Sequence, residues 1–359
     1  MAGGGLRGAF VGSGAGHESV VDPTPRYRRR SLVELRGRTG FAAADPGSAQ
    51  SRREPPCARR MKHPLANFFV ALRTWNALRR WPGLFRWGDA AMQFHRVVLP
   101  ARFAHRAAAR ALAQHAQITA EGDSWRVRLP GHGGLEFFWP TPPDPNLWFL
   151  IEQELTPRNP HHYTTPPVQL APDGCVLDVG ACEGLFAFRA LRQGLTGRVV
   201  AFEPSPAMHG LLQRGATANG VADRLRVEPL AVGAYSGTVR FTAAPGAEAG
   251  RIDAANAAGQ EVPCVRLDDY CHERGLSLTP RDLIKIDAEG ADFDVLRGAE
   301  DLIRTAAPQI AVTTYHCDTH AAAIVEWLRR VQPKYRLRLK GFSFWTPRPR
   351  PLLLQASTL

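Results

Sequence analysis

The stretch Val176–Gly184, VLDVGACEG, decides how this chain folds. Val176, Leu177 and Val179 make a short apolar run bounded by Gly174 and Gly180. That composition suits a strand buried on both faces of a parallel sheet. Gly180 and Gly184 bracket the turn that follows. Leu185 to Arg192 has neither Pro nor Gly and is rich in Leu, Ala and Phe, so a helix is expected to start there. Strand, glycine turn and helix N-terminus, in that order, form the place where an open α/β sheet receives a nucleotide-like ligand.

The details of the turn select the ligand. A dinucleotide site carries G-x-G-x-x-G, with helix N–H groups facing a pyrophosphate. Here the spacing is G-x-x-x-G, and Asp178 stands just before the first glycine. A carboxylate there repels a diphosphate and attracts the amino group of a cationic, phosphate-free ligand, of which S-adenosylmethionine is an example. The next strand, RVVAF (Arg198 to Phe202), ends at Glu203, a little over twenty residues past the glycines. A carboxylate at that distance is placed to accept both ribose hydroxyls. The cofactor-binding set expected from these positions is Asp178, Gly180, Cys182, Gly184 and Glu203. A nicotinamide-dependent dehydrogenase is the weaker reading, because the second glycine of its fingerprint is missing.

A chain of 359 residues has room for one core domain and an extension. No apolar run reaches the roughly 18 residues of a membrane span. The six cysteines show neither C-x-x-C pairing nor zinc spacing, which fits free thiols in a reducing compartment. A cytoplasmic protein is expected. The net charge of +12 suggests nucleic acid until it is divided along the chain. Residues 1–60 hold 11 basic and 5 acidic groups, residues 61–170 hold 12 and 7, and residues 171–359 hold 22 and 21. The half that carries the motif is therefore nearly neutral, and no nucleic-acid partner is expected.

Residues 1–60 are rich in Gly, Arg and Pro without an apolar period. They are expected to be disordered, or to precede the true start at Met61. Residues 61–170 are expected to form a helical and β-hairpin cap. Between 64 and 116, Phe68, Phe69, Leu72, Trp75 and Leu78 recur at helical steps, with Arg73, Arg79 and Arg80 elsewhere on the wheel. This stretch is expected to pack on the main domain; the sharper alternative is a helix lying on the inner membrane surface. Trp125 to Leu129, a Gly-rich turn and Leu135 to Trp139 predict a hairpin. The Pro-rich segment 140–167 is expected to be an irregular lead-in, with His161 and His162 as a solvated pair on it.

Residues 171–359 are expected to form the main domain. After Glu203, helices are expected at Met208–Asn219, 291–305 and Ala321–Val331. Strands are expected at Leu225–Val232, near Thr238–Phe241 and Val262–Leu267, and at Leu283–Asp287, Gln309–Tyr315, Tyr335–Leu339 and Leu352–Gln355. The stretch 243–260 reads as a mobile loop near the site. The alternation predicts an α/β fold with a doubly wound, mostly parallel sheet.

From Val176 to about Gln355 the chain resembles the FkbM family of methyltransferases. The stretches that carry the resemblance are VLDVGACEG, AFEPSP (201–206), AVGAYSG (231–237) and DLIKIDAEGADFDVLRGAEDLI (282–303). The resemblance implies a class I methyltransferase-like fold, S-adenosyl-L-methionine as cofactor, and O-methylation of a hydroxyl on a sugar, a lipid-linked glycan or a secondary metabolite. Family members tend to carry Asn where Cys182 stands, so that position departs from the pattern. A non-catalytic protein of the same fold that binds the cofactor is the alternative.

Asp287 and Glu289 close the strand 283–287 at the carboxyl edge, where ligands bind in open sheets. Asp287 is expected to contribute to cofactor binding or catalysis. Glu289 is a less decided case. Lys285 shares a face with Asp287 and is either its structural ion partner or a catalytic group. Methyl transfer to a hydroxyl needs in-line alignment and a base. His316, at the end of the strand 309–315, is the first candidate for the base and Asp287 the second. No metal is assigned, although Asp287, Asp318 and His316 together offer the oxygen and nitrogen ligands of a Mg²⁺-assisted variant.

Overall fold

The structure, a computed structural model, describes residues 101–242, 250–252, 259–343 and 349–359, together with 79–86 and isolated positions between 69 and 88. The chain divides into two compact units at Arg52/Arg53, and every described residue belongs to the second. The expectations for residues 1–60, for most of the helical stretch 64–100 and for most of the loop 243–260 lie outside the described residues.

Seven strands form the central sheet. In chain order they are β4 (Cys175–Val179), β5 (Arg198–Phe202), β6 (Leu225–Glu228), β11 (Leu283–Ile286), β12 (Gln309–Thr313), β13 (Arg336–Ser343) and β14 (Arg350–Ser357). Their spatial order is β13-β14-β12-β11-β4-β5-β6. Strands β12, β11, β4, β5 and β6 are parallel; β14 runs antiparallel to both β12 and β13. The doubly wound, mostly parallel sheet is therefore present. The order reverses between β4 and β11, which is the switch point where such sheets bind ligands.

Apolar cores cover both faces. On one face α3 (Leu185–Arg192) and α4 (Pro206–Ala218) pack with α2 (Pro145–Leu155) and with the sheet of β1 (Gln117–Glu121), β2 (Ser124–Leu129) and β3 (Leu135–Trp139). On the other lie α5 (Leu267–Glu273), α6 (Asp292–Arg297), α7 (Glu300–Ala306) and α8 (His320–Val331). Helix α1 (Ala101–His115) precedes β1 and contributes Leu112 to the first core. The hairpin β2–β3 has the expected register, Trp125 opposite Trp139 and Leu129 opposite Leu135. Asn219 caps α4 and also grips β3: its Oδ1 accepts from the Glu136 N–H, and its Nδ2 donates to the Glu136 carbonyl. The cap thus shares one core with the main domain. Leu84 is buried, the Leu339 N–H donates to its carbonyl, and Phe85 stacks on Phe342 at 4.8 Å.

Several expectations need correction. The lead-in 140–167 contains a helix, α2. Asp144 accepts from the Asn146 N–H as its N-cap, and Pro145 takes the first position, where no N–H is needed. The strand expected over 225–232 is broken into β6 and β7 (Ala231–Val232). The latter belongs to a second sheet, ordered β7-β10-β8-β9, with β8 (Gly237–Thr242), β9 (Arg251–Ile252) and β10 (Gln260–Val265). The helix 291–305 is two helices, because the chain turns at Gly298, where a Cβ would lie 2.0 Å from the Gly233 carbonyl oxygen.

The pair His161 and His162 is not solvated: both residues are 3 % exposed. Buried polar side chains draw the segment inward. Lys340 donates to the His162 carbonyl at 2.7 Å and to Thr165 Oγ1 at 2.8 Å, and Gln355 donates to the carbonyls of Tyr163 and Thr165. A loop can be buried when its backbone acceptors find partners in this way.

Candidate active site

The carboxyl ends of β4, β5 and β11 open into a cavity of about 240 Å³. Its wall is mixed. Phe202, Leu230, Val232, Phe241 and Ile252 supply an apolar side, and Glu154, Glu183, Glu203, Asp287 and Glu289 supply an acidic one. Among the described residues that line it there is no Arg, and the one Lys is Lys285.

Asp178 does not reach this wall. It lies directly opposite Lys285 in the β4–β11 register, so the two side chains leave the sheet on the same face. Lys285 Nζ stands 2.8 Å from Asp178 Oδ1 and donates to the Gly180 carbonyl at 2.8 Å. Both side chains are buried. Burial raises the Asp178 carboxyl above its ordinary value, with Lys285 opposing. Burial alone would lower the Lys285 ammonium, but Asp178 and Asp287 outweigh it and hold it above its usual range. We take the pair as charged, since a shared proton would leave a neutral amine facing a carbonyl and an acid in the core. The ion partner of Lys285 is thus Asp178 rather than Asp287, and the pair ties β4 to β11 beneath the cavity.

Gly180 is required by this same junction. It has φ +74°, and a Cβ there would lie 1.9 Å from the Asp287 carbonyl oxygen. Gly184, at φ +83°, starts α3 with the Phe188 ring against it, so it is absent from the wall as well.

Glu203 does line the cavity, and it also shapes it. Its Oε2 accepts from the Cys182 N–H and its Oε1 from the Ser205 N–H, each at 2.9 Å. The carboxylate therefore fastens the β4–α3 turn to the end of β5. Burial pushes its pKa up to about 7 despite those two donors. Cys182 holds a left-handed backbone, φ +49°, a conformation in which Asn is more at ease than Cys. That preference gives a physical reason for Asn at this place in the pattern.

Behind the turn after β11, Asp292 is fully buried and saturated. Its Oδ1 accepts from the Ala288 N–H and Thr313 Oγ1, and its Oδ2 from the Gly290 N–H, with His316 Nδ1 at 2.8 Å. His316 Nε2 faces Glu289 Oε2 at 3.3 Å and Asp287 Oδ1 at 3.6 Å. Burial opposes a charged imidazole, but Asp292, Glu289 and Asp287 outweigh it and push the His316 pKa up to about 11. The three carboxylates around it favour the charged imidazole, an arrangement that suits an ion partner of Asp287 and Glu289 better than a base. Asp318, expected beside it, is exposed and bonded to Arg350 Nε at 2.5 Å; Glu289 occupies the place instead.

Asp287 lines the cavity and accepts from the Tyr163 hydroxyl at 2.6 Å, while the one proton of Thr313 Oγ1, 3.1 Å away, is shared with Asp292. Burial raises its carboxyl, but the positive charges of His316 and Lys285 and the hydrogen bond from Tyr163 more than reverse this and hold it below the ordinary range. His161 Nε2 lies 3.9 Å from Asp287 Oδ2, and burial pushes that imidazole down to about 4, so it is neutral.

Glu154, Glu183, His161 and Tyr163 are cavity residues that sequence reasoning missed. The first belongs to the unexpected helix α2, and the signal that would have found it is the Asp144-Pro145 start. Glu154 Oε2 is buried without a hydrogen-bond partner, and burial pushes its pKa up to about 8. An unpaired acceptor with Glu183 and Glu203 around it fits a ligand that brings an ammonium, a sulfonium and ribose hydroxyls. It does not fit a diphosphate.

The chain is also similar to known proteins. The chain is 28 % identical over 150 residues to the 2-O-methyltransferase NoeI of Sinorhizobium fredii, covering 37 % of this chain and 60 % of that protein. It is 29 % identical over 213 residues to the 31-O-demethyl-FK506 methyltransferase FkbM of Streptomyces tacrolimicus, covering 50 % of this chain and 79 % of that one. A solved methyltransferase FkbM from Methylobacillus flagellatus is 21 % identical, with a TM-score of 0.39, covering 53 % of this chain and 44 % of that structure. The family model described as the methyltransferase FkbM domain matches residues 178–337, the segment that runs from Asp178 through Glu203, Asp287 and His316 to β13. Over residues 178–337 this chain is similar to the methyltransferase FkbM domain.

Proposed function

We propose that this protein transfers the methyl group of S-adenosylmethionine to a hydroxyl of a sugar, a lipid-linked glycan or a secondary metabolite. The observation that carries the reading is the acidic cavity at the switch point of a domain similar to FkbM methyltransferases, with no Arg among the described residues that line it, Glu203 on its wall and Glu154 Oε2 unpartnered in it. The names of the relatives, a 2-O-methyltransferase and a 31-O-demethyl-FK506 methyltransferase, support oxygen as the atom methylated.

The donor supplies a methyl group already attached to a good leaving group. What remains for the chain is binding, alignment and removal of one proton. Glu203 retains lone pairs for the ribose hydroxyls while its backbone bonds keep the turn in place. Glu154, whose raised pKa favours the protonated form in the free protein, gives that proton to solvent as the cationic end arrives, and with Glu183 then balances it. Asp287 takes the hydroxyl proton. It is ionised, it faces the cavity, and Tyr163 and Thr313 fix its orientation.

Calorimetric titration with S-adenosylmethionine, paired with an assay for S-adenosylhomocysteine over a panel of hydroxyl acceptors, tests this. The wild type should bind one equivalent and turn over with at least one acceptor class. Asp287→Asn should keep its donor affinity and lose about 10²–10⁴-fold in kcat. Absence of donor binding contradicts the reading. Binding without turnover of any acceptor favours a non-catalytic protein of the same fold.

A further inference from the structure

The mechanism above leaves His316 and Glu289 unused, although both are built into the site with care. His316 is 8 % exposed at its side chain, and its Nε2 is buried without a hydrogen-bond partner. That nitrogen is directed at two carboxylates, Glu289 Oε2 at 3.3 Å and Asp287 Oδ1 at 3.6 Å. One ligand atom from each of the three residues lies within 4.8 Å of the others. The opposite ring nitrogen of His316 is anchored by the buried Asp292 carboxylate at 2.8 Å. A histidine whose far nitrogen is fixed by a carboxylate, leaving the near one aimed at open ligands, is the arrangement that orients an imidazole toward a metal. His161 adds a second unpartnered, buried ring nitrogen on the same side, 3.9 Å from Asp287 Oδ2.

We propose that Asp287, Glu289 and His316 form a site for a divalent cation of the Mg²⁺/Mn²⁺ class on the wall of the cavity. Two carboxylate oxygens and one imidazole nitrogen suit such a cation. Octahedral bonds of about 2.1 Å place neighbouring ligand atoms about 3.0 Å apart, so the separations of 3.3 and 3.6 Å from His316 Nε2 need to close by about 0.3 and 0.6 Å. The cation takes the place of the proton on His316 Nε2, which leaves to solvent. Three protein ligands leave positions open toward the cavity, which Asp287 and Glu289 line. In the methyl-transfer reading, on which this role rests, an acceptor hydroxyl occupies one of them, is fixed in place and becomes more acidic, and its proton passes to Asp287 Oδ2, the oxygen the cation does not hold.

The test is a Mn²⁺ titration of the metal-free full chain, followed by calorimetry and electron paramagnetic resonance. Wild type should bind one Mn²⁺ per chain and show nitrogen coupling from the imidazole. Glu289→Gln, the least buried of the three changes, should weaken Mn²⁺ at least about tenfold. Asp318→Asn, away from the cluster, should leave it unchanged. Should Glu289→Gln fail to fold, the nitrogen coupling in the wild type decides: its presence supports the site and its absence overturns it. Lack of stoichiometric Mn²⁺ binding up to ~1 mM, weaker than the weakest protein sites for such cations, also overturns it, as does wild-type affinity in a folded Glu289→Gln. Titration with S-adenosylmethionine in the presence of a chelator separates the two ideas. Retained donor binding together with no Mn²⁺ site removes the cation alone, whereas loss of donor binding under every condition removes the methyl-transfer reading.

Discussion

Replacing Lys285 by Met isolates what the β4–β11 ion pair contributes. Lys285 and Asp178 are both buried, with Nζ 2.8 Å from Oδ1. The substitution keeps most of the volume, removes the cation, and strands the Asp178 carboxylate in the core. Breaking one side of a buried pair costs about 3–5 kcal/mol. For a domain of this size that is a drop of about 6–20 °C in Tm. Lys285→Met also releases the Gly180 carbonyl, to which Nζ donates. Asp178→Asn combined with Lys285→Met should recover most of the loss, because no charge is then buried. Urea unfolding of the wild type, both single variants and the double variant at pH 7, followed by circular dichroism, gives the coupling energy. The deficit of Lys285→Met should shrink as pH falls, since the stranded carboxyl can take up a proton. A Lys285→Met protein within ~1 kcal/mol of wild type, below the range for such pairs, refutes the reasoning, as does a double variant no better than the single. A selective loss of donor affinity in Asp178→Asn, with stability intact, would instead return Asp178 to the binding role expected of it.

Other consequences follow from single residues. Glu154 has a folded pKa pushed up to about 8, above its unfolded value, so it favours folding at low pH and that contribution is lost between pH 4.5 and about 8. Unfolding titrations should show stability falling over this window by up to ~1.4 kcal/mol per pH unit from this residue, and Glu154→Gln should flatten the slope. Cys182→Asn relieves a left-handed backbone at φ +49° and should stabilise the protein by about 1 kcal/mol, read as a rise in urea midpoint without a change in slope. Tyr163→Phe removes a hydroxyl bonded to Asp287 at 2.6 Å, and should cost about 1.5–3 kcal/mol in the same assay.

The strand–turn–helix at Val176–Arg192 was legible because parallel core strands announce themselves by local composition, and the turn glycines by their spacing. The same holds for β5, β11 and β12. The partners of Asp178 were not legible. Its place before Gly180 says that a carboxylate sits at the strand end, but which face it leaves from depends on the register with β11, a contact over a hundred residues away in sequence. His161 and His162 were misread for a similar reason. Pro-rich segments are usually solvated, and only Lys340 and Gln355, from strands near the end of the chain, bring this one inside. His316 was placed correctly at the sheet edge. Its protonation was not legible, because that depends on Asp292 and Glu289 converging from another strand's turn. Glu154 was lost with α2, whose capping signal was present at Asp144-Pro145 and was outweighed by the prolines around it.

The central claim is that the cavity between the Gly180–Glu183 turn, Glu203 and Asp287 holds the methyl donor. The most direct measurement is a crystal structure of the full chain with S-adenosylhomocysteine. The account predicts density in that cavity, with a hydroxyl of the ribose within hydrogen-bond reach of Glu203 and Asp178 still bound to Lys285. Density elsewhere on the protein, or a cavity left without ligand at saturating concentration, would contradict it.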